Sequence, residues 1–303
     1  MINIKKISVV ALILLVAGII GAVATFKSVY KEERVLEDKV IEESQFTNID
    51  VNADNARIEI FPTDEAKTKV TLTGSNTKYQ FSTNVGESTL SVKMNYQSKK
   101  LFNFGFHPRG FKLKIRVPEK MYDNLKVQNN NGTIHIENLS AANFHGHNNN
   151  GTMQIENLKA DNFFGQTNNG KIELSGIEGS AITTEAQNGR IGMKNVVSKT
   201  VKIKVSNGSI SLTNVEGNLV GESHNGSIML KTSSLDRPID FETNNGQINI
   251  QSEKKPTNAR FEVSIANGKA NILDHTDKNS LFFGDGKNLI KLSTHNGKIT
   301  VTD

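Results

Sequence analysis

From about residue 127 to the C-terminus, apolar and polar residues alternate in short runs whose phase is reset at each Asn-Gly pair. The pairs stand at 131–132, 150–151, 169–170, 188–189, 207–208, 225–226, 245–246, 267–268 and 296–297, so the glycines are 19, 19, 19, 19, 18, 20, 22 and 29 residues apart. Equal intervals in succession mark a structural repeat, because unrelated loops vary freely in length. Aligned on glycine, each unit reads Asn-Gly-x-Φ-x-Φ, where Φ is apolar. The first apolar position is Ile134, Met153, Ile172, Ile191, Ile210, Ile228, Ile248, Ala270 and Ile299, and the second is Ile136, Ile155, Leu174, Met193, Leu212, Leu230, Ile250, Ile272 and Val301. A spacing of two puts both on one side of a strand and turns His135, Gln154, Glu173, Ser211 and Asn249 to the other. A third apolar position (Leu139, Leu158, Ile177, Val196, Val215) follows a corner at Asn138, Asn157, Gly176, Asn195 and Asn214, and a second inward strand starts at Phe144, Phe163, Ile182, Val201 and Val220.

No such unit buries its apolar face alone, but units stacked ~4.8 Å apart do. The pattern therefore predicts an all-β fold, a parallel single-stranded β-helix or solenoid with rungs of about 19 residues. In that stack Asn131, Asn150, Asn169, Asn188, Asn207, Asn225 and Asn245 lie over one another as a structural hydrogen-bonded ladder, and the following glycine supplies the corner conformation. A meander of antiparallel hairpins with type I′ turns at Asn-Gly is the alternative. One Asn-Gly pair for each unit of two strands favours the coil. The regular repeats span 127–303. Residues 45–126 read as an N-terminal cap of degenerate rungs, with strands at Phe46 to Val51, Arg57 to Ile60, Lys69 to Thr73 and Thr89 to Met94, and Ala56 where later rungs carry glycine. The two wide spacings place loops on the coil's side at Ser252 to Asn258 and Asp274 to Asn288.

Ahead of the cap, Ile7 to Phe26 is a run of twenty uncharged residues following Lys5 and Lys6. Its length suits a transmembrane signal-anchor with residues 1–6 as a short cytoplasmic tail. A cleaved signal peptide is the rival, since Ala22-Val23-Ala24 has the small-x-small form of a cleavage site. Either reading exports the remainder, and the expected localisation is a single-pass cell-membrane protein with its C-terminal domain extracellular. Residues 27–44 carry four basic and six acidic side chains with a poor apolar stripe, and read as a stalk, helical in part.

Composition agrees with an all-β chain: of 303 residues only 6% are aromatic, Trp is absent and there are 24 Gly. The absence of Cys excludes disulfides, thiolate metal sites and Cys nucleophiles, a pattern that suits an exported Gram-positive protein. A net charge of +5 points to anionic partners such as lipid headgroups or envelope polymers, and does not imply nucleic acid. The charge is concentrated in Ser98 to Lys120, where seven cations face the single acid Glu119. There Lys99, Lys100, Phe102, Phe104, Phe106, Arg109, Lys112 and Lys114 form a candidate membrane or polyanion contact, cations alternating with aromatic rings as at an interfacial anchor. In the structural alternative these rings plug the end of the core while the cations point to water.

Signals for catalysis are weak. Glu137, Glu156 and Glu173 are the best candidates for a glycan-cleaving pair, but Glu137 and Glu156 stack one rung apart with no acid–base asymmetry, which reads as a solvated face. His145 and His147, with His135 in the same rung, could offer imidazoles to a divalent metal; exposed histidines on a polar strand are the commoner explanation. No catalytic, metal or cofactor site is assigned.

The segments Asn55-Ala-Arg-Ile-Glu-Ile60, Lys112-Leu-Lys-Ile-Arg-Val-Pro118 and Leu125-Lys-Val127, followed by serial Asn-Gly-x-Ile-x-Ile, resemble the bacterial "putative adhesin" domain-of-unknown-function family over about residues 45–303. The resemblance implies a cell-envelope β-solenoid outside the membrane, an association with envelope stress, and no catalytic residues. The expected function is a non-enzymatic, membrane-anchored, adhesin-like binding protein whose partner is a cell-wall polymer or an envelope protein. A carbohydrate-active β-helix enzyme is the alternative.

Overall fold

The computed structural model describes residues 11–22, 34–42, 45–75, 79–96 and 110–303. Its strands are β1 (Arg34–Ile41), β2 (Asn48–Thr63), β3 (Thr68–Gly74), β4 (Tyr79–Gly86), β5 (Thr89–Tyr96), β6 (Phe111–Pro118), β7 (Met121–Glu137), β8 (Ser140–Glu156), β9 (Lys159–Thr232), β10 (Ile239–Ser252), β11 (Ala259–Ile272), β12 (His275–Thr276), β13 (Ser280–Phe283) and β14 (Asn288–Thr302). Strands β7, β8 and the start of β9 stack in parallel with partners 19 residues apart: Gly132 lies against Gly151, Ile134 against Met153, Ile136 against Ile155, and Gly151 against Gly170. The 74-residue β9 keeps this alternation through several corners before β10 pairs with its last rung. The apolar columns face inward and are buried throughout, from Ile134 and Ile136 to Ile299 and Val301. The 18-residue rung shifts its inward residue from the expected Val220 to Leu219. Inside, Phe144 and Phe163 stack at 4.7 Å, and a Cβ on Gly146 would come within 2.8 Å of the Phe144 ring. Large and small residues thus compensate within the core.

The Asn-Gly corner is the tightest point. Gly151 has φ of 125°, and a Cβ there would lie 2.0 Å from the Gly132 carbonyl oxygen. No other residue fits a backbone this close. Beside it the asparagine amides form a continuous ladder in which Asn150 Nδ2 donates to Asn131 Oδ1 at 2.9 Å, Asn169 to Asn150 at 3.0 Å, and so on through Asn188, Asn207, Asn225 and Asn245. At the second corner Asn138, Asn157, Asn195 and Asn214 hold φ between 51° and 56°, apart from 50° at Asn157. Asparagine tolerates this region better than other non-glycine residues. Two further ladders run through Asn124, Asn143 and Asn162, and through Asn130, Asn149 and Asn168.

Rung order in space departs from order along the chain at both ends. β2 lies between β6 and β7, so the chain lays down β2, drops to β5 and β6 as the outermost parallel layer, then returns over β2. β14 lies between β10 and β11, so the chain skips a layer to β11 and fills the gap afterwards. The asparagine ladder follows space: Asn131 donates to Asn55, Asn296 to Asn245, and Asn267 to Asn296. Segment 252–258, expected as an insertion, is therefore the crossing that carries the chain past one layer. Asp236 pins it, accepting from the backbone N–H groups of Thr257 and Asn258 and from the Thr257 hydroxyl.

These ends correct the wholly parallel solenoid expected from the repeat. The sheet is mixed, because β3 runs antiparallel to β6, β1 to β3, β4 to β5, and β12 and β13 to β11. Antiparallel strands cover edges that a bare stack would leave open. β1 itself falls in the segment read as a stalk. The transmembrane signal-anchor is also corrected. Among the described residues the helix covers 11–22, fewer than the roughly 20 residues needed to span a bilayer core. Among the described residues no helix is long and apolar enough to cross a membrane; residues 7–10 and 23–26 lie outside them. The single-pass cell-membrane localisation loses its support with that helix.

Two outcomes follow from this packing. Gly151→Ala forces Cβ onto a carbonyl oxygen in a φ region alanine avoids, and denaturant unfolding should show a loss of about 1–3 kcal/mol. At Asp236, burial raises the carboxyl pKa, but the bonds from Asn258 and Thr257 outweigh it and the net shift is downward. A lowered folded pKa stabilises above the unfolded value near ~3.9 and is lost as pH falls through the folded one. The stability gap between wild type and Asp236→Asn, about 1 kcal/mol at neutral pH, should therefore shrink on acidification.

Candidate anion-binding face

β6 alternates strictly: Phe111, Leu113, Ile115 and Val117 are buried, so Lys112, Lys114 and Arg116 face out. β3 does the same, burying Val70 and Leu72 and presenting Lys69, Thr71 and Thr73. Antiparallel pairing sets Lys69 opposite Arg116, Thr71 opposite Lys114 and Thr73 opposite Lys112. These six side chains line a groove of about 490 Å³. On its far side β2, parallel to β6, sets Arg57, Glu59 and Phe61 against Lys112, Lys114 and Arg116.

The cations of this face are not equivalent. Glu59, only 5% exposed, takes Arg57 Nε at 2.8 Å and Lys112 Nζ at 3.0 Å on one carboxylate oxygen. Lys69 pairs with Asp38 at 3.1 Å, and the Lys69 and Thr71 hydrogen bonds hold the Asp38 carboxyl below its usual range. Lys114 and Arg116 have no carboxylate within salt-bridge distance among the described residues, and Lys114 Nζ lies 5.8 Å from the Phe61 ring centroid. The groove thus holds two compensated cations and two uncompensated ones, flanked by threonine hydroxyls. Such a surface can receive a carboxylate, sulfate or phosphate oxygen.

Of the residues proposed from sequence as a membrane or polyanion contact, Lys112 and Lys114 lie on this face; Lys99, Lys100, Phe102, Phe104, Phe106 and Arg109 lie outside the described residues. Phe111 from the same stretch is buried, edge-on to Tyr79 at 5.6 Å. Lys69, Thr71 and Thr73 were not singled out; their alternation shows a strand but not that it pairs with β6. Of the other candidates, the structure brings His135 Nε2 to 3.9 Å from Glu156 Oε1. Glu156 accepts from Gln154 at 2.5 Å, and Glu173 pairs with Lys171 at 2.6 Å. His145 stacks on Phe164 at 4.9 Å, and burial, helped by Lys126 and His147, lowers its pKa. His147 bonds Asn149, whereas His135 sits edge-on to Phe61. Among the described residues no group of three His, Cys, Asp or Glu side chains could hold a metal ion.

The model of the Toastrack DUF4097 family matches residues 46–302. A solved structure of a "putative adhesin" from Bacteroides fragilis superposes with a TM-score of 0.52 at 15% identity, covering 90% of this chain and 98% of its own. A "putative cell adhesion protein" from Clostridium sporogenes, also at 15% identity, covers 89% of this chain and 99% of its own with a TM-score of 0.25. No curated protein matches the sequence.

Glu59→Gln tests the electrostatics of the face directly. It leaves Arg57 and Lys112 without a counter-charge, and the cost, screened because both cations are partly exposed, should be about 1 kcal/mol by thermal or urea unfolding. High salt should shrink that cost.

Proposed function

The chain belongs to the Toastrack DUF4097 family, and from that premise we propose that it is a non-catalytic, adhesin-type binding protein whose β3–β6 groove grips an anionic polymer. The carrying observation is the pair Lys114 and Arg116, adjacent, outward and without carboxylate partners among the described residues, beside Lys69 and two threonine hydroxyls. An uncompensated pair of cations on a rigid sheet is set to replace counter-ions along a polyanion. The B. fragilis neighbour, described as a "putative adhesin", shares the fold and is in keeping with this class. A binding role also accords with the carboxylates. Glu156 and Glu173 are tied to Gln154 and Lys171 on an open strand face, whereas the acid of a glycosidase sits in a pocket that keeps it protonated.

The test uses the full chain with polyphosphate and with neutral dextran as probes. Polyphosphate should bind and dextran should not bind at this groove. The double substitution Lys114→Glu with Arg116→Glu should lower polyphosphate affinity by at least about tenfold and flatten its salt dependence by between one and two in log–log slope, roughly 0.7–0.9 per lost contact. Both side chains point away from the core, so folding stability should stay within about 0.5 kcal/mol. Unchanged affinity in a folded double variant would sink the reading.

A further inference from the structure

A glycine inside a strand weakens it, and one that persists there marks a bulge, a close approach of another backbone or side chain, or the approach of a ligand. Among the described glycines of the β structure, all but one are explained by the first two causes. Each has φ in the left-handed region, or would place a Cβ within 3.3 Å of a neighbouring atom. Gly192 is the exception. Its φ is not positive, and a Cβ there would meet nothing within 4 Å. Neither conformation nor packing calls for it.

The equivalent outward position in neighbouring rungs carries Gln154, Glu173, Ser211 and Met229. Gly192 therefore opens a notch of about 320 Å³ in an otherwise continuous row, walled by Gln154, Glu173, Ser175, Lys194, Ser211 and Thr213. The chemistry of this lining narrows the occupant. The carboxylates Glu156 and Glu173 at its edge are balanced by Lys194 in the lining and by Lys171, which pairs with Glu173, so there is no net positive charge to draw an anion, and the walls are too polar for an apolar molecule. A peptide strand finds no free edge, since the rungs on both sides are already paired. Hydroxyls, an amide, a carboxylate and an amine at short intervals suit a ligand whose own groups both donate and accept, over a floor with no side chain to stand in the way. We propose that Gly192 is the floor of a saccharide subsite, taking one pyranose unit of a neutral glycan that runs along the coil, with the polar rows of adjacent rungs, ~4.8 Å away, facing the next units. This subsite is separate from the basic groove and does not rest on it.

Calorimetric titration of the full chain with a β-1,4-linked glucose hexamer tests the assignment, because that extended chain advances one sugar over nearly the height of one rung. Wild type should bind with a dissociation constant in the millimolar range, and Gly192→Gln, which restores the side chain of the rung at 154, should bind at least tenfold more weakly. Melting temperature should hold or rise, because a residue with a side chain loses less entropy on folding than glycine. The Lys114→Glu, Arg116→Glu double variant should bind the hexamer as wild type does, which separates this site from the polyanion reading. Absence of heat with wild type at millimolar hexamer, equal affinity in Gly192→Gln, or a fall in the melting temperature of that variant would each overturn the assignment.

Discussion

The structure depends on how closely successive rungs approach at the Asn-Gly corner. There the carbonyl oxygen of one glycine lies beneath the Cα of the next, near enough that only hydrogen fits between them. The asparagine that precedes each glycine then stands directly over its counterpart, and its amide is satisfied by the one below. Together these contacts hold the rungs in one register. A slip of one residue would put Cβ atoms into backbone, break the amide ladder and turn the apolar columns to water. From that register the rest follows: inward residues stack like on like, outward residues form straight rows, and the side of the coil becomes a lattice of repeated positions.

A stack held this way has the weakness that its end layers expose unpaired backbone. Both ends use the same remedy. At each end the outermost parallel layer lies, along the chain, between the penultimate layer and the body: β5 and β6 come between β2 and β7, and β11 comes between β10 and β14, so the chain must pass over a layer on one side of each terminal rung. Short antiparallel strands then cover what remains. At the N-terminal end this remedy also creates chemistry. A parallel continuation would have repeated the rows of the body, whereas antiparallel β3 sets Lys69, Thr71 and Thr73 opposite the cations of β6. The groove is a consequence of closing the end.

Sequence periodicity reveals what happens within a rung far better than which rungs touch. The Asn-Gly template placed the inward columns, except where the 18-residue rung moved one step to Leu219. It could not order the rungs, because a motif that fixes a position inside each rung says nothing about which rung lies above. The separation from Asn245 to Asn296 is that of true neighbours, yet Asn267 between them carries the same signature and reads as the intervening layer. Likewise Lys69-x-Thr71-x-Thr73 alternates as well for an antiparallel partner as for a parallel one. Of the candidate contact, Lys112 and Lys114 were legible from charge alone, whereas the distinction between compensated and free cations rests on Glu59 and Asp38, which come from other strands.

In a repeating surface, specificity arises where the repetition fails. One outward row runs from Lys114 through Glu59, His135, Gln154 and Glu173 to Gly192. Its first member carries a charge without a carboxylate partner among the described residues, and its last lacks a side chain. Five rung steps separate them, about 24 Å at ~4.8 Å per step, and the ladder between them keeps that distance constant. A flexible linker would spread two such features over a range of separations and dilute each in the presence of the other. On a stiff stack each is presented at one fixed place, so neither is diluted by motion of the other. Rigidity imposed by the corner thus acts on recognition as well as on folding, by fixing where on the side of the coil each irregularity is presented.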